Sequence, residues 1–422
     1  MQFFGTSRKN RQTLLVFHTA YTFEQMQERE LLFFATGRDI NKVFSRVITV
    51  NVASHLHGKQ NSRSSWFAVL QQIIFDERHI FYETRIPKIL MPLPRKARDI
   101  IILSLSWLHL TLKLIPQNIK LVRAEDARLN SIFAFSLKFL HRSPILVGIW
   151  GNPQRLREKE NRAVMPNLFP NASIEEKFES YFLKKADAIL VQNEENASMP
   201  RQLNIDEKKI FFFPVGMTLN PVHFSGKIYS KVKSLDSISL EFITSDDSPL
   251  IICISRLEPF KHVEDCILAL AKNKSLPAKM MVVGDGSERR KLEKLVDHHN
   301  LSHRVYFAGN RSQTWLAGSL TLADINLVPG WGGRVMLETA HYGIPTLAYD
   351  IDWHSEIIEN NVNGFLVPYR NVDALATVLG NLISHPKKYK RIGLKLRETS
   401  LRLSDPINLA EIQLKLYSSI IS

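Results

Sequence analysis

The chain has 422 residues, of which 45% are hydrophobic and 23% are charged, a balance that excludes a disordered or fibrous protein and suits two globular domains of about 200 residues each. Its 55 lysines and arginines exceed its 41 acidic residues, and most of the excess lies in residues 1–230, where 32 basic residues stand against 20 acidic ones. Two cysteines are too few for a disulfide framework or a thiolate metal site, so they favour a reducing, cytoplasmic setting.

The first half of the chain alternates short apolar runs with stretches of helical periodicity. Buried parallel strands have this form, each a run of four to eight apolar residues followed by a helix. The predicted strands are 12–19, 46–52, 119–124, 145–150, 187–192 and 210–215, and the clearest predicted helices are 128–140 and 174–185. This alternation predicts a doubly wound α/β domain over residues 1–225.

Residues 100–115 (IIILSLSWLHLTLKLI) form the longest apolar stretch, but they include His109 and Lys113. They are also shorter than the roughly 20 apolar residues that a membrane span requires. Because three basic residues lie within 95–98, this amphipathic helix either packs on the sheet or rests on an anionic bilayer. The apolar run near the N-terminus lacks a small-residue cleavage site, so we expect a cytoplasmic protein, with or without contact to the inner face of a membrane.

Residues 226–247 are rich in serine and scattered charges, and they are predicted to connect two domains. A second α/β series follows over residues 248–403. Its predicted strands are 250–255, 279–283, 304–308, 323–328, 345–349 and 364–367, with helices at 262–272, 287–299, 334–343 and 372–383. Two Rossmann-like domains facing each other across a cleft are therefore predicted, with ligands at the carboxyl ends of the strands.

The loops of the second half hold the candidate binding groups. Arg256 and Lys261 follow a strand at the start of a helix, where two cations favour a diphosphate. Gly284 and Gly286 form a Gly-x-Gly turn after the next strand, which either lets a ligand approach the backbone or is simply a tight turn.

The segment Gly330-Trp331-Gly332-Gly333 opens a further helix. The free amides at such a helix start can bind a phosphate or a sugar oxygen. Glu338 follows one turn later, either as an acceptor for ligand hydroxyls or as an ordinary surface residue.

In this order and spacing, the second half resembles the nucleotide-binding domain of family-4 glycosyltransferases of the GT-B fold. The matching segments are SRLEPFKH, VVGDGSERRKLEKLV, RVYFAGN, PGWGGRVMLE, YGIPTLAYD and EIIENNVNGFLVP, about 120 residues from Ile251 to Pro368. The first half is similar more loosely, through LVRAED, PILVGIWG, KKADAILVQNEENASM and KIFFFPVGM. Residues 404–422 look like the family's closing helix, which crosses back to the first domain.

The resemblance implies a hexosyltransferase-type enzyme that moves a sugar from a nucleotide-sugar to an acceptor hydroxyl with retention, without a metal or a cofactor. Arg256, Lys261 and Glu338 would be the catalytic residues, the cations on the diphosphate and the acid on the ribose hydroxyls. The implied donor-binding residues are Gly284, Gly286, Gly309, Asn310, Gly330, Gly332, Gly333, Arg334 and Val335, with Gly309 and Asn310 near the base.

Two positions depart from the family pattern. The family usually has two glutamates with seven residues between them, and this chain has Gly330 at the first of these positions and Glu338 at the second. The family also usually has a His-Gly pair where this chain has Trp150-Gly151. Both changes concern groups that normally lie near the donor sugar. On the acceptor side we expect Glu125, Asp126, Trp150, Gly151 and His18, the last standing where the family has a glycine-rich loop.

The acceptor is expected to be a glycan or a lipid-linked sugar, as in relatives that build lipopolysaccharide, capsule or exopolysaccharide. The alternative is a GT-B scaffold that has lost catalysis and binds another transferase, a hypothesis that Gly330 and Trp150 motivate. Nucleic acid is not an expected partner, since the basic half shows no aromatic-interleaved basic segment.

Overall fold

The structure is a computed structural model that describes residues 12–56, 65–160, 163–165, 168–169, 171–214, 219–224, 233–332 and 334–421. Two sheets with interleaved helices make up the molecule, and nearly all their strands are parallel. The predicted pair of Rossmann-like α/β domains is thus confirmed. Gly333 is the one candidate site residue outside the described residues.

The first sheet has eight strands in the order β3-β4-β2-β1-β5-β6-β7-β8. The strands are β1 (Gln12–His18), β2 (Arg46–Asn51), β3 (Leu70–Ile74), β4 (His79–Thr84), β5 (Asn118–Ala124), β6 (Ile145–Ile149), β7 (Ala188–Val191) and β8 (Ile210–Phe212). Strands β3 and β4 were not predicted. They form a hairpin whose edge strand β3 is antiparallel and partly polar, so neither carries the continuous apolar run of a buried parallel strand.

Helices of the first domain connect these strands and supply loops at their carboxyl ends. They are α1 (Phe23–Glu28), α2 (Phe33–Thr36), α3 (Arg95–Leu114), α4 (Leu129–Ser136), α5 (Lys138–His141), α6 (Pro153–Glu160), α7 (Ala172–Lys185) and α8 (Glu194–Gln202). The long helix α3 contains the apolar stretch singled out above and packs on the core through Ile102, Leu110 and Leu114. Among the residues that the structure describes, no helix is long and apolar enough to cross a membrane.

The second sheet is entirely parallel, in the order β11-β10-β9-β12-β13-β14. Its strands are β9 (Leu250–Ile254), β10 (Lys279–Val283), β11 (Val305–Gly309), β12 (Ile325–Val328), β13 (Thr346–Asp350) and β14 (Phe365–Pro368). The helices around it are α9 (Ser237–Thr244), α10 (Val263–Lys272), α11 (Arg289–His298), α12 (Gln313–Leu320), α13 (Arg334–Ala340), α14 (His354–Ile357), α15 (Val372–Ser384) and α16 (Pro386–Leu403).

The predicted connection over 226–247 needs a correction. Its later part forms α9, in which the Asp236 side chain caps the helix and Ile243 packs in one core with Leu250 and Ile252 of the second sheet. The residues before position 233 lie outside the described part of this segment.

The last helix, α17 (Pro406–Ile421), leaves the second domain and lies on the first sheet. Leu416 and Tyr417 share a buried cluster with Leu14 and Val16 of β1. The Gln413 side chain accepts a hydrogen bond from the Ile40 amide at 2.7 Å. The chain end therefore ties the two domains together.

Candidate functional site

A cavity of about 480 Å³ lies where the carboxyl ends of the two sheets face each other. From the first domain it is lined by residues that follow β1, β5, β6, β7 and β8, and from the second by residues that follow β9 and β12. A second cavity of about 290 Å³ continues it past Trp150 and Lys261. Parallel sheets bind ligands at this edge, so the interdomain cleft is the candidate site.

Arg256 and Lys261 line both cavities, as the motif after β9 predicts. Their charged groups lie over the same ring, that of Phe260, with the Arg256 guanidinium carbon 5.6 Å and Lys261 Nζ 5.1 Å from its centroid. Loss of solvent and the neighbouring Arg256 charge lower the pKa of Lys261 to about 7. An anionic ligand between the two cations would favour the protonated amine.

Three contacts fix the loop after β12, one of them to Lys261 and two to residues that follow β13. Lys261 Nζ donates to the carbonyl of Trp331. The Gly332 amide donates to Asp352 Oδ2 at 2.9 Å, and the Gly332 carbonyl lies 3.3 Å from His354 Nε2. The loop therefore has a fixed shape at the cleft.

Gly330 has a packing reason to be glycine. A Cβ built at this position would lie 2.5 Å from the Lys261 Cα and 2.6 Å from the Lys261 carbonyl oxygen, and real Cβ atoms essentially never approach so closely. A glutamate at this position would therefore require a different backbone path. Glycine in place of the family's usual glutamate is therefore explained by the way the loop packs on Lys261.

Two carboxylates near this loop each keep one oxygen available. Glu338 is 1% exposed, its Oε1 has no hydrogen-bond partner among the described residues, and its nearest cation there is Arg334 Nη1 at 3.6 Å. Asp352 Oδ1 likewise has no hydrogen-bond partner in the described part of the chain. Burial raises the pKa of Asp352, and its φ of 55° is a left-handed value that is uncommon for a residue with a side chain. Asp352 lines the smaller cavity and is suited to accept a hydrogen bond from a ligand hydroxyl, whereas Glu338 lines neither cavity.

The other predicted donor residues divide into two groups. Arg334 and Val335 at the start of α13 line the larger cavity, together with Gly330 and Gly332. The guanidinium of Arg334 lies 4.5 Å from the ring centroid of Phe34, which lines the cavity from the first domain.

Gly284, Gly286, Gly309 and Asn310 do not line either cavity. A Cβ at Gly284 would lie 1.9 Å from the Ser255 carbonyl oxygen, and one at Gly286 would lie 2.3 Å from the Leu257 carbonyl oxygen. In the structure, the loop after β9, which contains Arg256, packs against these two glycines. Their contribution to the site is to let that loop pack closely.

Glu125 lines the cleft but is paired with arginines. Its Oε1 lies 3.0 Å from Arg38 Nε and 3.0 Å from Arg123 Nε, and Arg123 Nη1 donates to the Tyr417 hydroxyl at 3.3 Å. Burial lowers the pKa of Arg38, whereas the pKa of Arg123 is raised because the Glu125 and Tyr417 interactions outweigh its desolvation. The Glu125 carboxylate is thus a partner for two buried cations, Arg38 and Arg123, and neither was predicted as a residue of the site.

Asp126 also lines the cleft, but its carboxylate holds a loop. It accepts hydrogen bonds from the amides of Arg128 at 2.8 Å and Asn130 at 3.3 Å, just before and within the first turn of α4. Burial raises its pKa. Its position makes it a structural cap for α4 rather than a free base.

The remaining acceptor-side candidates all border the cleft. Trp150 lies between the two cavities, with the Arg123 guanidinium carbon 5.4 Å from its ring centroid. Gly151 lines the smaller cavity, and His18, 4% exposed at the end of β1, lines the larger one.

Arg123 could have been identified from the sequence, because it is a charged residue inside the otherwise apolar strand LVRA. Asp352 and Arg38 gave no such signal. Within the described ranges, no group of three or more metal-ligating side chains comes together.

Comparisons with known proteins agree with this geometry. Residues 239–399 match the family model described as "Glycosyl transferases group 1". Alpha-D-kanosaminyltransferase of Streptomyces kanamyceticus is 27% identical over 152 residues, 35% of this chain and 39% of that protein. A GDP-mannose-dependent alpha-(1-6)-phosphatidylinositol monomannoside mannosyltransferase of Mycobacterium tuberculosis is 27% identical over 164 residues, 36% of this chain and 43% of that protein. The matches thus span less than half of each relative.

The whole fold is also similar to solved structures. The sucrose-phosphate synthase of Thermosynechococcus elongatus superimposes with a TM-score of 0.74 at 17% identity, over 97% of this chain and 99% of that one. At this identity the likeness concerns the architecture, which is the GT-B fold.

Proposed function

We propose that this chain, whose residues 239–399 belong to the glycosyl transferases group 1 family, transfers a sugar from a nucleotide-sugar donor to an acceptor hydroxyl with retention. The observation that carries the proposal is the pair Arg256 and Lys261 in the interdomain cleft, at the start of a helix and facing a second domain that can hold an acceptor. Departure of a nucleoside diphosphate develops negative charge, and fixed cations stabilise that charge without a metal ion.

The donor would lie along the second domain. Its diphosphate would contact Arg256, Lys261 and the amides at the start of α13, while Glu338 and Asp352 would accept hydrogen bonds from its hydroxyl groups. The acceptor would lie on the first domain, beside Trp150 and His18. The Mycobacterium tuberculosis relative is named as a GDP-mannose-dependent phosphatidylinositol monomannoside mannosyltransferase, which supports a lipid-linked or glycan acceptor here.

A thermal-shift screen against UDP, GDP, ADP and CMP tests the proposal. A nucleotide at about 100 times its dissociation constant stabilises a protein by about 2.7 kcal/mol, enough to raise the melting temperature by several degrees. We expect one of the nucleoside diphosphates to do so, and the matching nucleotide-sugar to be turned over. A scaffold that has lost catalysis would show no turnover with any donor, and the absence of any shift would contradict the donor site itself.

The pKa of Lys261 predicts a pH dependence of donor binding. Since the bound diphosphate favours the protonated amine, affinity is greatest below about pH 7 and falls as the pH rises above it, by at most about tenfold per pH unit. Isothermal titration with the nucleotide-sugar identified in the screen measures this slope. Lys261→Arg is the control, because arginine stays charged and should abolish the slope. An unchanged slope in that variant would assign the titration to another group.

We also propose that the protein works in the cytoplasm against the inner face of a membrane. The basic excess of the first half and the exposed lysine and arginine residues at the start of α3 support contact with anionic lipids. Sedimentation with phosphatidylglycerol vesicles, compared with phosphatidylcholine vesicles, measures this contact.

A further inference from the structure

A third cavity, of about 550 Å³, lies on the first domain between α3, α4 and α7. We refer to it as the apolar groove. Its lining is almost entirely hydrocarbon and includes Trp107, Leu129, Phe133, Ser136, Ile174 and Phe178. It shares no lining residue with the two cleft cavities, where the donor and the acceptor hydroxyl are proposed to lie.

The polar atoms of the groove already have partners. The Trp107 indole Nε1 donates to the Ser136 hydroxyl at 2.8 Å, and that hydroxyl donates to the Phe133 carbonyl at 2.9 Å. A ligand in the groove therefore finds no hydrogen bond to make and no polar group to desolvate. These are the properties of a site for a hydrocarbon chain.

The groove opens onto an apolar surface instead of being closed over. Phe178 is 41% exposed, and Phe139, whose ring centroid lies 6.4 Å from that of Trp107, is 64% exposed. Along α3, Ile100, Leu108 and Leu112 are each more than half exposed. Exposed apolar side chains beside an apolar cavity are typical of a surface that contacts a membrane or another molecule.

Basic side chains border this surface and indicate what covers it. Lys177 and Lys184 are exposed on α7, and Arg95 and Lys96 are exposed at the start of α3. A surface that combines apolar side chains with cations complements the acyl region and the anionic headgroups of a bilayer.

The groove also adjoins the cleft. Arg128 lines the smaller cleft cavity, whereas Leu129, the next residue, lines the groove. On α7, Glu179 lines the smaller cleft cavity and its neighbour Phe178 lines the groove. Arg128 and Glu179 form an ion pair between the two cavities. Neighbouring residues thus line the two cavities, so a molecule that occupies both has its polar head and its hydrocarbon chain on either side of this ion pair.

We infer that the apolar groove binds the hydrocarbon chain of a lipid-linked acceptor, drawn from an anionic membrane, while the polar head of that acceptor lies in the cleft. This inference rests on the proposed function for the identity of the cleft. One consequence can be tested without measuring turnover: the protein should bind long acyl chains at one site.

The test is a fluorescence titration of the full chain with dansyl-labelled undecanoic acid. We expect saturable binding, with competition by unlabelled fatty acids that strengthens about fourfold for each added methylene group. Ile174→Asp should weaken binding at least about tenfold, since it places a charge in the groove. The variant should fold, because an acid in the first turn of α7 is favourable to the helix and Ile174 is already 36% exposed.

Ile238→Asp is the matched control. Ile238 is also an exposed isoleucine in the first turn of a capped helix, α9, but it lies outside the groove. We expect it to leave acyl binding unchanged, and both variants to keep the thermal shift produced by the nucleotide.

Two results of the titration would overturn the inference: no saturable binding to the wild type, or an equal loss of acyl binding in Ile174→Asp and Ile238→Asp. A second copy of the chain in the groove would also overturn it. That outcome would be seen by light scattering as a dimer that Ile174→Asp dissociates. If the nucleotide still raised the melting temperature in that case, the proposed function would remain supported. Acyl binding without any nucleotide shift would support the groove and contradict the proposed function.

Discussion

Replacing Arg256 by alanine is expected to lower turnover by about 100-fold to 1,000-fold, the usual effect of removing one group that stabilises developing charge. This corresponds to about 2.7–4 kcal/mol of transition-state stabilisation. The guanidinium lines both cleft cavities and is exposed, so its loss removes a contact to the diphosphate without removing a part of the core. Steady-state kinetics with the identified donor measures the change.

The folding of the variant must be checked in the same experiment. Because Arg256 is exposed, the free energy of unfolding should change by no more than about 0.5 kcal/mol. Arg290→Ala is the matched control, an exposed arginine of α11 away from both cavities, and we expect it to keep full activity. Full activity in Arg256→Ala would contradict the assignment of the diphosphate site.

Gly330→Ala is expected to damage both stability and donor binding. The added methyl group would lie 2.5 Å from the Lys261 Cα, so either the loop after β12 or the backbone of Lys261 must move. Overpacking of this kind costs about 1–3 kcal/mol, which lowers the melting temperature by roughly 2–12 °C. The displaced Lys261 should also weaken the nucleotide thermal shift.

Gly151→Ala serves as the stability control for this experiment. A Cβ at Gly151 meets no atom within 4 Å, so its melting temperature should stay close to that of the wild type. An unchanged melting temperature in Gly330→Ala would show that the loop has room to relax. The absence of a glutamate at this position would then need an explanation other than packing.

The contacts of Lys261 also suggest how the site responds to a donor. Its amine donates to the Trp331 carbonyl and helps to hold the loop after β12, while its pKa near 7 keeps part of the population neutral at physiological pH. A bound diphosphate would restore the full charge. Donor binding is therefore coupled both to proton uptake and to the position of the loop that contacts the donor.

Much of the fold could be predicted because parallel strands have local signatures. Runs such as LIICI and KMMVV are buried on both faces, and their composition alone identifies them as strands β9 and β10. The hairpin of β3 and β4 lacked this signature, since an edge strand tolerates polar residues. The placement of Arg256 and Lys261 at the cleft also followed from sequence, because a loop after a parallel strand must lie at the carboxyl edge.

The roles of individual site residues were less predictable, because they depend on partners far away in sequence. Glu125 was expected to face an acceptor, but Arg38, 87 residues earlier, binds its carboxylate. Gly284 was expected either to admit a ligand or to form a tight turn, and the Ser255 carbonyl occupies the space beside it. Such pairings arise only when the strand order brings distant loops together.

By itself, the sequence determined the two α/β series, the order of their elements and the loops that carry the cations, since periodicity and loop composition are local properties of the chain. Only the tertiary structure decided the charge state of Lys261, the reason for glycine at position 330 and the existence of the apolar groove. Each of these depends on burial and on distances between segments that are remote in sequence. Such quantities are set when the helices and sheets pack, and no local pattern encodes them.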